Sequence, residues 1–142
     1  MNTNFHSQTI LNFLKTQILG VVSTIDSQTS KPESALVAFS ETDNLEIIFG
    51  TFNDTRKVPN ILKNPHISFV VGFGDVTVQY EGTAKFTEGE EEKKCRDTHL
   101  AKNPASKKYA FDPKQRFLKV SPTWIRYSDL SSTPETIFEI SF

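Results

Sequence analysis

Apolar positions recur along this chain with two different periods. Ile10, Leu11, Phe13 and Leu14, with Ile18 just beyond, fall three and four apart. That spacing places them on one face of a helix over residues 4–17. From residue 18 the period shortens. Residues 18–25 are apolar and β-branched, residues 26–33 form a polar turn with Pro32 near its end, and residues 34–40 predict a second strand. Glu41-Thr42-Asp43-Asn44 reads as a hairpin turn into a third strand over residues 45–51. Residues 54–64 predict a short helix, with Asp54 or Thr55 as its N-cap, Pro59 near the end of its first turn and Asn64-Pro65 as its stop.

The second half alternates more cleanly. Ile67, Phe69, Val71 and Phe73 share one side of a strand over residues 66–73, and Gly74-Asp75 turns the chain. Along residues 76–86, Val76, Val78, Tyr80, Ala84 and Phe86 face one way, and Thr77, Gln79, Glu81, Thr83 and Lys85 the other. Thr87 followed by Glu90 has the form of a capping box for a helix reaching about Asn103. Its acidic residues come first and Lys93, Lys94 and Arg96 later, an order that suits the helix dipole. Two short strands, 116–120 and 124–128, and a third at 137–140 complete the chain, punctuated by Pro122 and Pro134. Hairpin connections favour antiparallel pairing, since parallel strands need crossovers. The pattern therefore predicts a mainly β fold with flanking helices: an antiparallel barrel, closed or split, of about six or more strands. With no repeat, linker or low-complexity tract, residues 1–142 form one domain.

Composition narrows the class. Lys and Arg total 16 against 17 Asp and Glu, a net charge of −1, which gives no signal for nucleic acid. Any anion site must be local. The single cysteine, Cys95, rules out an intrachain disulfide and fits a reducing compartment. The N-terminus carries no secretory pattern, and the apolar runs are far shorter than the ~20 residues that span a bilayer. A cytoplasmic protein that binds neither nucleic acid nor membrane is expected.

The densest candidate chemistry is Gly50-Thr51-Phe52-Asn53-Asp54-Thr55-Arg56-Lys57, which leaves a strand and opens a helix. Unpaired backbone N–H groups, two hydroxyls, a guanidinium and an ammonium there would cradle a phosphate. The plainer alternative is a capped surface helix with two solvated cations. Cys95 and His99 lie four apart on a predicted helix, but two ligands do not make a metal site, and both are expected at the surface. No metal site is expected. No Gly-rich dinucleotide fingerprint, phosphate-binding loop of the Walker type or nucleophile elbow occurs.

Taken in order, these features resemble the pyridoxamine 5′-phosphate oxidase-like split barrels, which bind flavin mononucleotide (FMN). The likeness rests on residues 19–26, Ala35-Leu36-Val37-Ala38-Phe39, Phe49-Gly50-Thr51, Thr55-Arg56-Lys57, Asn64-Pro65 and Tyr80-Glu81-Gly82. Thr55-Arg56-Lys57 is similar to the family's Ser-Arg-Lys phosphate signature. The resemblance implies that Thr51, Thr55, Arg56 and Lys57 hold the FMN phosphate, and that Ala35, Leu36 and Val37 lay their backbone along the isoalloxazine edge. It implies a homodimer with FMN at the interface, to which the second subunit brings Thr77 and either Trp124 or Arg126. It also implies an oxidoreductase acting through the flavin on a small-molecule substrate or electron donor, with no catalytic side chain. Some relatives use the deazaflavin F420 or haem, and a non-catalytic carrier or sensor is the rival reading. True pyridoxamine phosphate oxidases have Arg where Ala35 stands and end in a basic segment with His. Residues 130–142 here carry no Lys or Arg, so oxidation of vitamin B6 phosphates is not expected.

Overall fold

A computed structural model describes residues 3–142 of the chain; Met1 and Asn2, the start of the polar N-terminus, lie outside them. The order is α1 (Thr3–Thr16), β1 (Leu19–Ile25), β2 (Pro32–Ala38), β3 (Ser40–Glu41), β4 (Ile47–Phe52), α2 (Lys57–Lys63), β5 (His66–Val71) and β6 (Val76–Phe86). Then come α3 (Gly89–Lys102), a 3-10 turn (Pro104–Ser106), α4 (Lys107–Ala110), β7 (Gln115–Asp129) and β8 (Thr136–Ser141).

The strands form one antiparallel sheet in the order β2-β1-β5-β6-β7-β4-β3, with β8 also on β7. The sheet curls until β2 comes near β4 without pairing to it. That gap is the split of the barrel. Phe39, Phe49, Phe69, Tyr80, Leu118 and Ile125 fill the interior and are almost wholly buried. The Tyr80 hydroxyl reaches the carbonyls of Leu45 at 2.7 Å and Val120 at 3.1 Å, which satisfies the polar end of a buried ring. α1 packs on the barrel through Ile10, Leu11 and Leu14, as its spacing predicts, while Ile18 lies beyond the helix and is exposed.

Several expectations give way to tertiary context. The strands expected at 116–120 and 124–128 are one strand, β7, running through Pro122. Pro122 faces Gly82 where the β6–β7 register shifts after Glu81. A ladder interrupted there needs no N–H from it. Phe73 lies past the end of β5 and is exposed, because Gly72 at φ 94° has already turned the chain. The capping box does not form. The Thr87 hydroxyl donates to the Phe117 carbonyl at 2.8 Å, and the N-cap of α3 is Glu88, with no side-chain cap bond. The N-cap of α2 is Arg56, since residues 53–56 make a tight turn in which the Thr55 hydroxyl donates to the Phe52 carbonyl.

Candidate functional site

The split between β2 and β4 opens two cavities that share Thr55 and Lys57. The smaller, ≈ 170 Å³, lies among Val22, Thr24, Glu33, Ala35, Thr55, Arg56 and Lys57. The larger, ≈ 330 Å³, runs from Leu36, Val37 and Ala38 of β2 to Gly50, Thr51 and Phe52 of β4. Its far wall is His99, Ser106, Tyr109, Gln115 and Phe117. A strand presents alternate residues to one face. Glu33, Ala35 and Val37 therefore take the half-buried side of β2, and Thr51 is a buried position of β4.

A polar network backs the smaller cavity. Asn60 points inward from α2 and is only 1 % exposed. Its amide NH2 donates to Glu33 Oε1 at 2.7 Å and to Thr24 Oγ1 at 3.0 Å. Its oxygen accepts from the Ser27 N–H at 2.9 Å. The other oxygen of Glu33 pairs with Arg56 Nη1 at 2.5 Å. Across the cavity mouth the Thr51 and Thr55 hydroxyls lie 2.8 Å apart. The Thr55 N–H bonds to the Phe52 carbonyl and the Val58 N–H to the Thr55 carbonyl. The turn thus uses part of the backbone cradle anticipated from the sequence, and the Thr55 proton is given to the Phe52 carbonyl, which leaves the Thr51 proton for Thr55.

Charge in the site is uneven. Burial first, and the neighbouring Arg56 cation second, push the Lys57 ammonium below its usual range. Among the described residues no carboxylate pairs with Lys57. A ligand anion would relieve both pressures. At the far wall, burial and then the Lys102 charge push His99 down to about 4. Its imidazole is neutral near pH 7. His99 Nδ1 lies 3.5 Å from Ser40 Oγ, its ring meets Phe117 edge-on at 5.7 Å, and the residue lines the larger cavity.

Seven of the nine residues expected to hold a cofactor therefore meet at one place: Ala35, Leu36, Val37, Thr51, Thr55, Arg56 and Lys57. Thr77 and Trp124 line neither cavity. Thr77 lies opposite Ser128, and Trp124, opposite Glu81, lines a shallow groove with Val70 and Gln79. Arg126 is paired with Glu139 at 2.7 Å.

Sequence reasoning misses Glu33 and Asn60, and weighs His99 only as a metal partner of Cys95. Glu33 stands two residues before Ala35, a spacing that shares a strand face. Asn60 sits between the buried Val58 and Ile61, where a polar residue marks a buried network. Cys95 and His99, expected at the surface, are both buried, because α3 lays them against β4 and β7. Among the described residues no group of three or more His, Cys, Asp and Glu is arranged to hold a metal. No described helix is long and apolar enough to cross a membrane.

A family model described as pyridoxamine 5′-phosphate oxidase matches residues 7–129. No curated protein matches. Among solved structures, general stress protein 26 from Bacillus anthracis str. Sterne superposes with a TM-score of 0.73 at 22% identity, over 95% of this chain and 98% of that one. A putative pyridoxamine 5′-phosphate oxidase from Listeria innocua gives 0.70 at 21% identity, over 86% and 97%. A heme binding protein from Mycobacterium smegmatis gives 0.80 at 14% identity, over 99% of this chain but 59% of that one. This chain thus spans about three fifths of that protein's length. At such identities these likenesses establish the fold. The family match, covering most of the sequence, establishes kinship: the chain belongs to the pyridoxamine 5′-phosphate oxidase family and has its split-barrel fold.

Proposed function

We propose that the chain is an FMN-binding oxidoreductase that holds the flavin at the barrel split. One observation carries this reading. Lys57, Arg56, Thr51 and Thr55 gather where the two cavities meet, beside the β2 segment from Ala35 to Val37. The side chains fit a phosphate ester: the Lys57 ammonium, unpaired among the described residues, the Arg56 guanidinium now held by Glu33, and two hydroxyls that can turn from their present partners, at the mouth of a half-enclosed site. The larger cavity fits a flat ring. At ≈ 330 Å³ it lies within the range of ligand sites, with Phe52, Tyr109 and Phe117 as aromatic walls and Gln115 and Ser106 as uncharged polar contacts.

FMN, when bound, supplies hydride and single-electron transfer. The protein's own residues bind and orient it. Lys57 gives the phosphate its main charge partner, and Thr51 and Thr55 would add hydroxyl contacts by turning their protons from Thr55 Oγ1 and the Phe52 carbonyl. Leu36, Val37, Phe52 and Tyr109 keep water from the ring. Thr77 and Trp124, outside the cavities of their own chain, are assigned to the site of a second subunit in a homodimer. A small-molecule electron donor or substrate completes the reading.

Titration of FMN into the wild type and Lys57→Ala, followed by flavin fluorescence, tests it. A charge-assisted hydrogen bond is worth about 1.5–3 kcal/mol, so the variant should bind at least about tenfold more weakly. Equal affinities would remove the site. Bleaching of bound flavin by a nicotinamide donor separates an enzyme from a carrier.

One observation favours a second reading. His99 offers the larger cavity a buried, neutral imidazole, the form that ligates haem iron. The heme binding protein from Mycobacterium smegmatis has the same fold. Haemin titration would support that reading if a Soret band formed in the wild type and not in His99→Ala. No band in the wild type would dismiss it.

A further inference from the structure

The ion pair between Glu33 and Arg56 stands inside the proposed phosphate cradle. We propose that Glu33 is a specificity residue of that cradle: it holds Arg56 in a pair that a ligand phosphate must open, so the flavin exchanges with solution instead of staying resident. This rests on the proposed FMN site and adds to it.

Three observations support the role. First, Glu33 is fixed. One carboxylate oxygen accepts from Asn60, and Asn60 is itself held by Thr24 and Ser27 in a nearly solvent-free position. Second, Arg56 is the partner able to move. Its side chain is 74% exposed against 15% for Glu33, and the 2.5 Å pair is what anchors it. A phosphate arriving at Lys57 would draw Arg56 away from a carboxylate that cannot follow. Third, the charge balance is poor for a tightly held phosphate. Arg56, Lys57 and Glu33 sum to one positive charge, while a phosphate monoester carries about −1.5 to −2 near pH 7. An occupant therefore loses part of what Arg56 would give it and keeps a carboxylate nearby.

Such a cradle still prefers FMN to riboflavin, through Lys57. It releases FMN readily, as suits a flavin that is itself delivered or handed on. The ligand class is a flavin phosphate in exchange with a free pool.

Affinities and release rates of FMN and riboflavin, measured on the wild type, Glu33→Gln, Arg56→Ala and the double variant, test the proposal. The amide introduced by Glu33→Gln keeps an acceptor oxygen for Asn60, so the substitution removes the charge with little change of shape. Thermal unfolding checks that the variant folds, and Glu33→Ala replaces it if it does not. The expected result is FMN binding about tenfold tighter in Glu33→Gln, mainly through slower release, with riboflavin unchanged. Most of that gain should be lost in the Arg56→Ala background, the remainder being the direct repulsion between carboxylate and phosphate, because non-additivity marks residues that act through one another.

FMN affinity unchanged or weaker in Glu33→Gln would overturn the role of Glu33, as would an equal gain for riboflavin. A wild type that binds FMN no tighter than riboflavin would overturn the phosphate cradle itself, and the exchange role with it. A wild type that prefers FMN while Glu33→Gln shows no gain would leave the cradle standing and remove only Glu33.

Discussion

His99 lies in an environment that its neighbours in sequence do not suggest. Charged residues occupy most of α3, yet His99 lies against Phe117 with Nδ1 turned to Ser40. Burial, and then Lys102, lower its pKa from 6.5 to about 4. The folded imidazole therefore resists a proton that the unfolded chain accepts. As the pH falls below about 6.5 the unfolded state is protonated first, and stability drops until about pH 4; above 6.5 the effect is absent. Between pH 7 and 4.5 the loss is on the order of 2 kcal/mol. His99→Gln should lose less stability than the wild type over that interval, by about that amount, in urea unfolding. Identical losses would mean that the ring titrates as it does in water. Glu33 shows the same limit of local reading. Its alternation with Ala35 is visible in the sequence, but its partners Arg56 and Asn60 lie 23 and 27 residues away, and only the fold brings them together.

Among the secondary-structure elements, strands with one buried face are legible in the sequence and those with irregular partners are not. β6 keeps its expected bounds because Val78, Tyr80 and Ala84 alternate inward along it. The ends of α1 and α3 fall close to expectation for a similar reason: apolar spacing in one, charge order in the other. β7 reads as two strands because Pro122 breaks a local pattern, while the accommodating feature, the register shift after Glu81, belongs to the facing strand. The start of α2 differs from expectation because the Thr55 hydroxyl serves the Phe52 carbonyl instead of capping the helix. The β6–β7 irregularity also makes a prediction. At Gly82 an added Cβ would fall 2.5 Å from the Ser121 carbonyl oxygen and 2.8 Å from a Val120 methyl. Backbone oxygen in a ladder has little room to yield. Gly82→Ala should destabilise the protein by about 1–3 kcal/mol in chemical unfolding, the usual range for overpacking. An unchanged midpoint would show that the strands part easily at this point.

Across the molecule as a whole, the split barrel wraps its core and leaves apolar surface elsewhere. Val70, Phe73, Leu130, Ile137 and Phe142 are all exposed. The Leu130 N–H donates to the Asp75 carbonyl, which sets Leu130 beside the turn that carries Phe73. Exposed side chains of this size favour a contact that covers them, and the homodimer proposed above would supply one. Light scattering at micromolar concentration should give twice the 16.1 kDa chain mass. A monomer mass with FMN present would contradict the dimer and return Thr77 and Trp124 to ordinary surface roles.

The proposed function stands or falls on whether the cations at the barrel split recognise the phosphate of a flavin. The sharpest comparison sets two ligands against the unaltered protein, because FMN and riboflavin differ only in that phosphate. Lys57 lines both cavities, and burial and Arg56 together favour an anionic partner for it. FMN should therefore bind at least about tenfold tighter than riboflavin, the worth of one charge-assisted hydrogen bond, and the difference should shrink as salt is added. Equal affinities for the two flavins would mean that the split does not read the phosphate, and the flavin site proposed for it would fall.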